Sequence, residues 1–459
     1  MNGTISRGTG DPRFDQGRFD AVIAGGGVAG AAAAAALSQL GMQVAIIEPG
    51  LDDSRRLSGE LIHQPGAAAL EELGLLRAVY DGDATPVTGF SVRFGGSADS
   101  KVVHLPYGSS EAASPAFAIE HTRIRERVLA AAGRLPGVHV LEHSRITAVD
   151  LGHPDHAEVR VSSSAGTTVM RPRLLVGADG SSSPVSRLAG IAQTRRRLST
   201  LFGFLLESVA LPDPGFGHIF LGGSGPVLAY PVSPHAVRVM FDLPDTAAGP
   251  QSAADCRASL HALPEPFRSE VERSLDSAIV VAGASYTSTR NEITRGRLVL
   301  VGDAAGCCHP VTATGLTVCA SDSLRLRDAL ADSNGDIARA LPLYASRRLG
   351  PQRTRMVAAR VLYEVFCGHT PESRLVRDGL CEYWNLGSAR CEKSMALVST
   401  ADARLHVLLA ELAHVILCGF GIRISKGWRD GGLSPRQTRI LLDVSRLVLR
   451  HAGETLRTM

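Results

Sequence analysis

Two constellations far apart in this chain carry residue types that could do chemistry only together. Gly25-x-Gly27-x-x-Gly30 follows a short apolar run, and Glu48 comes about twenty residues later. Gly25 permits a tight turn, Gly27 lets the backbone approach a pyrophosphate, Gly30 lets helix and strand pack closely, and Glu48 suits adenosine ribose hydroxyls. Gly302 and Asp303, with the run from His309 to Val318 (HPVTATGLTV), form the second constellation. An apolar strand ending in Gly-Asp, then a loop and a helix, is what a protein needs to reach the ribityl chain and isoalloxazine ring of FAD. The first motif places the adenine half of that cofactor and the second the reactive half.

The elements that must position these residues are legible as patterns. Ala21 to Ala24 reads as a buried strand, an Ala-rich helix follows and stops at Gly41, and Val44 to Ile47 reads as a second buried strand, giving a βαβ unit. A helix is expected from about Thr122 to Ala132, and a strand over Leu174 to Gly177 leads into Ala178, Asp179 and Gly180. Phe90 to His104 and Leu201 to Leu243 alternate in a β-rich pattern broken by Gly and Pro, which implies a second sheet. Gly315 and Leu316 open a helix running to about Leu330, and after Tyr344 the chain reads as helical.

The fold class expected is α/β: a Rossmann-like FAD-binding domain with an inserted β-sheet substrate domain and a C-terminal helical region. Residues 1–17 read as a flexible tail. The FAD-binding domain is discontinuous over 18–90, 115–194 and 285–345, the substrate domain covers 91–114 and 195–284, and the helical region covers 346–459.

Composition narrows the function classes. At 459 residues the chain can hold more than one domain, and its formal net charge of +3 is small for that length. The compact basic cluster Arg195 to Arg197 is too short to track a nucleic-acid backbone, so no nucleic-acid partner is expected. Lys occurs only at 101, 393 and 426, an Arg bias that hints at a GC-rich bacterial source. The eight Cys form no CxxC pair and Cys307 adjoins Cys308, so reduced cytosolic thiols are expected and no metal site. The Ala31 to Ala36 run imitates a signal core but follows Asp20 and a Gly-rich turn, which suits a helix packed on a sheet. Leu405 to Ile422 is apolar, but His406, Glu411 and His414 interrupt it, and an ionised Glu at mid-bilayer is costly. From Arg439 to Arg450, Ile440, Leu441, Val444, Leu447 and Val448 recur at helical spacing among Arg439, Asp443, Arg446 and Arg450. That basic amphipathic helix packs either on the protein's own core or on a membrane surface. The expected location is cytoplasmic, and in the second case peripheral at the inner face of the membrane through these helices.

With those motifs in place, the chain resembles the flavoprotein monooxygenases of the hydroxybenzoate-hydroxylase fold, and among them squalene epoxidases. The likeness runs from about Phe19 into the C-terminal helices. It is carried by Arg56 with SGELIHQPG, HLPY at 104–107, HTRI at 121–124, VGADGSSS at 176–183, GPVLAYPVS, VGDAAGCCHPVTATGLTV, LYEVF and CEYWNLG.

The resemblance implies roles. Arg56 and Arg123 resemble basic groups that contact FAD, with a structural salt bridge as the alternative. Asp179 and Gly180 resemble the Asp-Gly motif near the pyrophosphate and an incoming nicotinamide, and Asp303 the acid that holds a ribityl hydroxyl. Pro310, Gly315 and Leu316 belong to the loop and helix start at the flavin's pyrimidine edge. There backbone N–H groups favour the negative charge of reduced flavin. Tyr107 matches an active-site tyrosine that orients a neighbouring Gln; here Gln64 or His63 is that neighbour, and a core tyrosine is the alternative. His309 reads as shaping the flavin site rather than as a base.

The implied reaction is epoxidation, or hydroxylation, of an apolar alkene of isoprenoid or polyene type. Its oxidant is a flavin C4a-hydroperoxide formed from O2 and protected from water by an apolar cleft. No nicotinamide domain is visible, so electrons come from NAD(P)H either directly or through a flavin or ferredoxin reductase; the family likeness favours a reductase.

Three departures stand out. Ala313 and Thr314 replace the first two of three consecutive family glycines, Ser186 stands where an Arg follows the Asp-Gly motif, and no eukaryotic-type N-terminal membrane helix is present. A flavin-dependent prenyl reductase or oxidase, and a non-catalytic carrier on the same fold, are the alternatives. A halogenase is disfavoured because Trp384 and Trp428 are far apart and no Trp-x-Trp-x-Ile-Pro segment exists.

Overall fold

A computed structural model describes residues 19–429 apart from 51–56, 81, 83, 96–99, 109–113, 246–251 and 277. Arg56, the N-terminal tail and the amphipathic 439–450 segment therefore lie outside the described residues. The central sheet has six strands in the order Thr294–Arg295, Leu298–Leu300, Leu174–Gly177, Ala21–Ala24, Val44–Ile47, Val138–Leu141. All neighbours are parallel except the first pair. Ala21–Ala24, Val44–Ile47 and Leu174–Gly177 are buried at every position, as strands covered on both faces must be.

The chain leaves Ala21–Ala24 toward one neighbour and later returns on its other side, so Gly25 lies at the switch of strand order, where doubly wound sheets bind ligands. The Ala-rich helix Val28–Ser38 covers this sheet with ten of its eleven residues buried. Its small side chains bring it close to both the sheet and the helix Gly315–Asp332, which pack with it in one apolar cluster. It is a core helix, and Gly41 beyond its end has φ +74°.

The second sheet has seven strands: Val281–Arg290, Gln193–Glu207, Ala236–Pro244, Val227–Ser233, Phe216–Leu221, Gly89–Phe94 and Lys101–Pro106. The two strands from early in the chain join through a parallel pairing of Gly89–Phe94 with Phe216–Leu221. One face of this sheet packs on the segment Ala253–Leu275; the other joins the C-terminal helices in a cluster that includes Val92, Leu105, Tyr107, Ile219, Leu228, Met240, Phe366 and Trp384. A three-stranded antiparallel sheet over Arg145–Asp150, Glu158–Ser163 and Gly166–Met170 was not foreseen from sequence.

The helical region begins at Ile337, ahead of Tyr344, with a helix running to Cys367. Leu405–Arg429 contains a 21-residue stretch long and apolar enough to cross a membrane, though only by length and composition. Gly379 and Gly419 let this helix cross Pro371–Asn385 closely: a Cβ on Gly379 would come 2.4 Å from the Val415 carbonyl. Glu411 is buried on that side and pairs with Lys393 of the preceding helix.

Candidate active site

Gly25, Asp179 and Asp303 leave the carboxyl ends of three adjacent parallel strands. Gly25 has φ +97°, and a Cβ there would lie 2.8 Å from the Ala178 carbonyl. A Cβ on Gly30 would lie 1.8 Å from the Gly25 carbonyl, so the helix start tolerates no side chain. By contrast, a Cβ on Gly27, Gly180 or Gly315 would meet nothing within 4 Å. These three glycines border open space at the helix N-termini and strand ends, a cradle that fits a pyrophosphate and a flat ring.

Glu48 is buried and its carboxylate accepts from Gly26 N–H at 2.5 Å and Gly50 N–H at 3.1 Å. Asp179 accepts from Ser183 Oγ at 2.6 Å and Val185 N–H at 2.8 Å. Burial pushes its carboxyl above the usual range, and those hydrogen bonds oppose the shift. Arg290, which no sequence pattern singled out, ties the two acidic loops together: Nε donates to the Ala304 carbonyl at 3.0 Å and Nη2 to Ser181 at 3.4 Å. Its Nη1 is buried without a hydrogen-bond partner, a donor available to an acidic or carbonyl group in the cradle.

Gly302 shows that the distant motifs converge. With φ +58°, it leaves room for no Cβ, which would lie 2.9 Å from Cys319 Sγ and 3.1 Å from the Ala29 methyl. The fingerprint helix and the helix after the HPVTATG loop thus touch the same glycine. Gly302 N–H donates to Asp322 Oδ2 at 3.0 Å, and Arg348 Nε donates to the same oxygen at 2.7 Å, fixing the turn from below. Asp303 follows. Burial raises its carboxyl, opposed by the guanidinium groups of Arg355 and Arg348. Arg123 lies on the helix His121–Ala132, 3.9 Å from Glu120 with 52% of its side chain exposed; its neighbour His121 holds the Gly59 carbonyl at 2.8 Å.

At the other end, the structure selects between the two neighbours of Tyr107. His63 is fully buried, with Nδ1 2.5 Å from the Tyr107 hydroxyl and Nε2 2.8 Å from the Thr312 carbonyl. A carbonyl only accepts, so the ring proton is on Nε2 and Nδ1 accepts from Tyr107. Burial lowers the imidazole to about 4, which keeps it neutral near pH 7, and the same burial raises the Tyr107 phenol. Gln64 opens the adjacent helix Gln64–Glu72. His63 N–H also donates to Thr317 Oγ1 at 3.3 Å, and Leu316 packs on Gly59. The segment 59–63 is thereby seated on the start of the Gly315 helix.

Thr314 precedes that helix without a side-chain cap bond, leaving its first N–H groups free of that competitor. Pro310 is exposed in a short 3₁₀ turn, and Ala313 adopts φ +51°, a conformation that glycine reaches without strain. Ser186 is buried, its N–H donating to the capping Ser183 Oγ and its hydroxyl to the Ser183 carbonyl, while Arg187 is exposed and reaches the Ser182 carbonyl.

Beyond these predicted residues, Glu60 joins the 57–63 segment to the second sheet. It is buried and receives Arg238 through Nε at 2.9 Å and Nη2 at 2.7 Å, with the Tyr230 hydroxyl at 3.1 Å. The SGEL and VLAYPVS segments contained Glu60 and Tyr230, but nothing in their spacing linked them to each other or to Arg238 on the next strand.

The parallel sheet with its switch-point cradle, the second sheet and the helical tail give the hydroxybenzoate-hydroxylase-like fold of FAD-dependent monooxygenases. Two solved structures share this architecture: p-nitrophenol 4-monooxygenase PnpA from Pseudomonas putida DLL-E4 and aklavinone-11 hydroxylase. PnpA gives TM-score 0.65 and 19% identity over 87% of this chain and 98% of that one. The hydroxylase, as its ternary complex with FAD and aklavinone, gives TM-score 0.62 and 19% identity over 77% of this chain and 70% of that one.

The chain belongs to the squalene epoxidase family, whose model matches residues 172–428, more than half its length. Squalene epoxidase 3 of Arabidopsis thaliana is 27% identical over 416 residues, covering 88% of this chain and 78% of the relative.

Proposed function

We propose that this monooxygenase epoxidises an apolar alkene of isoprenoid or polyene type, with hydroxylation of the same substrate class as the variant outcome. The observation that carries the reading is where Tyr107 sits. Its hydroxyl is tied to His63, while its ring belongs to the apolar cluster formed by the second sheet and the C-terminal helices, together with Val311 and Ala313 of the HPVTATG loop. A substrate lying against that cluster would be apolar and would approach from the side on which the loop meets the cradle.

In this reading Gly25, Gly27, Gly30 and Gly180 hold the FAD pyrophosphate, Glu48 the adenosine ribose, Asp303 the ribityl chain, and Pro310, Gly315 and Leu316 the ring edge. Arg56 and Arg123 supply positive charge beside the cofactor. Bound and reduced, FAD supplies activation of O2. The protein's own residues bind and orient it and exclude water with aliphatic side chains. They also hold one phenolic proton at a fixed place through the Tyr107–His63–Thr312 series.

Electrons come ultimately from NAD(P)H, either by transient docking or through a flavin or ferredoxin reductase. We place the protein in the cytoplasm. The exposed side of Leu405–Arg429, which carries Leu417 and Ile424, supports peripheral contact with the inner face of the membrane.

The test is anaerobic reduction of the yellow protein, then admission of ¹⁸O2 with a panel of terpenoid and polyene alkenes. Epoxide carrying one labelled oxygen is the expected product by mass spectrometry. Saturated product without label would replace this reading with a prenyl reductase, and a colourless protein that takes up no FAD would replace it with a carrier.

A further inference from the structure

The second sheet grips the flavin loops through two buried acids, and they are partnered very differently. Glu60 has a guanidinium across both oxygens and a phenol besides. Asp242, on the strand Ala236–Pro244, is fully buried, and neither carboxylate oxygen has a hydrogen-bond partner. Its ion-pair neighbour is His309, whose Nε2 lies 3.1 Å from Oδ2 without the alignment of a hydrogen bond. An unsatisfied buried acceptor costs about 1–3 kcal/mol, so the acid needs a reason to stand there.

His309 supplies one. Its Nδ1 accepts Val311 N–H at 3.1 Å, which places the ring proton on Nε2, facing Asp242 and, at 3.2 Å, Ser199 Oγ. This is not a hydrolytic triad. Ser199 and Asp242 share one nitrogen and the other is occupied by backbone, so the imidazole has no free lone pair with which to act as a base. The ring also lies 4.4 Å from the Tyr363 ring, whose hydroxyl donates to the Leu198 carbonyl at 2.8 Å. The Pro310–Thr312 turn is thereby held between two histidines, His309 at its start, which faces Ser199 and Asp242 of the second sheet, and His63 through the Thr312 carbonyl. Ala313, at φ +51°, completes the bend between this turn and the Gly315 helix.

We propose that His309 and Asp242 are positioning residues that set the place of the 310–314 loop and, through the Thr312 carbonyl, the orientation of His63 and the Tyr107 hydroxyl. This rests on the reading of the loop as the edge of the flavin site. The second sheet, on which the substrate would lie, is thus coupled mechanically to the groups beside the cofactor.

The test uses full-length protein loaded with FAD and two near-isosteric variants. His309→Asn keeps an acceptor for Val311 N–H but does not reach Asp242; Asp242→Asn keeps the shape and removes the carboxylate. Amide exchange of residues 311–314 is expected to accelerate about tenfold in each while the central strands are unchanged, and the double variant should be no worse than either single. The flavin absorption band should shift in the same three proteins, and turnover should fall in kcat rather than KM.

Unchanged loop exchange in both singles, or strictly additive effects in the double, overturns the proposal. Exchange is measurable without cofactor, so a protein that refuses FAD condemns the flavin reading while the loop data still decide the role of the pair. If Asp242→Asn does not fold, His309→Asn alone decides it by the loop exchange and the flavin band.

Discussion

The two ends of the proposed flavin site are built from different materials. At the pyrophosphate end, fit is a matter of what is missing: Gly25 and Gly30 sit where a Cβ would strike backbone, and Gly27 and Gly180 open onto space. At the ring end, fit depends on side chains drawn from four separate stretches of chain, joined as Tyr107 to His63, His63 to Thr312, and His309 to Asp242. Glycine geometry is local and all or none, whereas a relay of side chains can be loosened one contact at a time.

The largest expected effect therefore lies at the pyrophosphate end. Gly30→Val would drive side-chain atoms into the Gly25 carbonyl, which a Cβ alone already approaches to 1.8 Å. Overpacking of this kind costs about 1–3 kcal/mol where the core can adjust, and more against backbone. The expected result is loss of FAD binding together with a large fall in melting temperature. A yellow, stable Gly30→Val protein would dissolve the contrast between the two ends.

That contrast also explains what the sequence made legible. The glycine fingerprint, Glu48 and the strand–helix–strand order are all within thirty residues and depend on backbone shape, so reading them needs no tertiary information. The Gly302-Asp303 turn was readable for the same reason, as a strand end followed by small residues. The partners at the ring end were not. Gln64 and His63 are both polar and adjacent, and only the packing of Thr317 and Thr312 against this segment turns His63 toward Tyr107. Arg290 closes an ordinary-looking strand, and Asp242 sits inside an alternating one, so their roles arise entirely from what the fold places opposite them. The 145–170 hairpin sheet was missed because its strands are short and half exposed.

A pH titration probes the ring end without a mutation in the loop itself. His63 is lowered from 6.5 to about 4 by burial, so between those values the unfolded chain binds a proton that the folded one refuses. Stability from this group is complete above about pH 6.5 and is lost as pH falls toward 4, by on the order of 3 kcal/mol. His218, also lowered to about 4, contributes in the same window. Chemical denaturation of wild type and His63→Gln across pH 4–7 isolates the His63 share: the variant should lose that part of the slope and retain the parts from His218 and from His121, which burial also lowers. An unchanged slope would mean that His63 is not held neutral by its surroundings.

Two substitutions weigh the ends against each other at smaller cost. Asp303→Ala removes the acid proposed for the ribityl chain and should weaken FAD binding by tenfold or more, about 1.4 kcal/mol, read by flavin fluorescence on dilution. Tyr107→Phe should leave FAD binding intact and lower turnover, since it deletes one hydroxyl and leaves Nδ1 of His63 without its donor. If Tyr107→Phe released the flavin and Asp303→Ala did not, the two ends would have been assigned the wrong way round.

The smallest effect is expected where the chain departs from the family's glycine run. Ala313 holds φ +51°, which costs a residue with a Cβ about 1–2 kcal/mol, and Ala313→Gly would release that strain. Against it stand the extra freedom glycine gives the unfolded chain, about 0.5–1 kcal/mol, and a methyl lost from the half-buried face it shares with the apolar cluster, at most ~0.8 kcal/mol. The terms nearly cancel, so the unfolding free energy from chemical denaturation should change by less than about 0.5 kcal/mol. Substrate preference should move more, because the methyl is removed from the side of the loop that faces the proposed alkene site. A variant with unchanged stability that accepts alkenes of greater width fits that placement. A strongly destabilised variant with unchanged preference would instead make Ala313 a packing residue of the loop and return the choice of alkene to the second sheet.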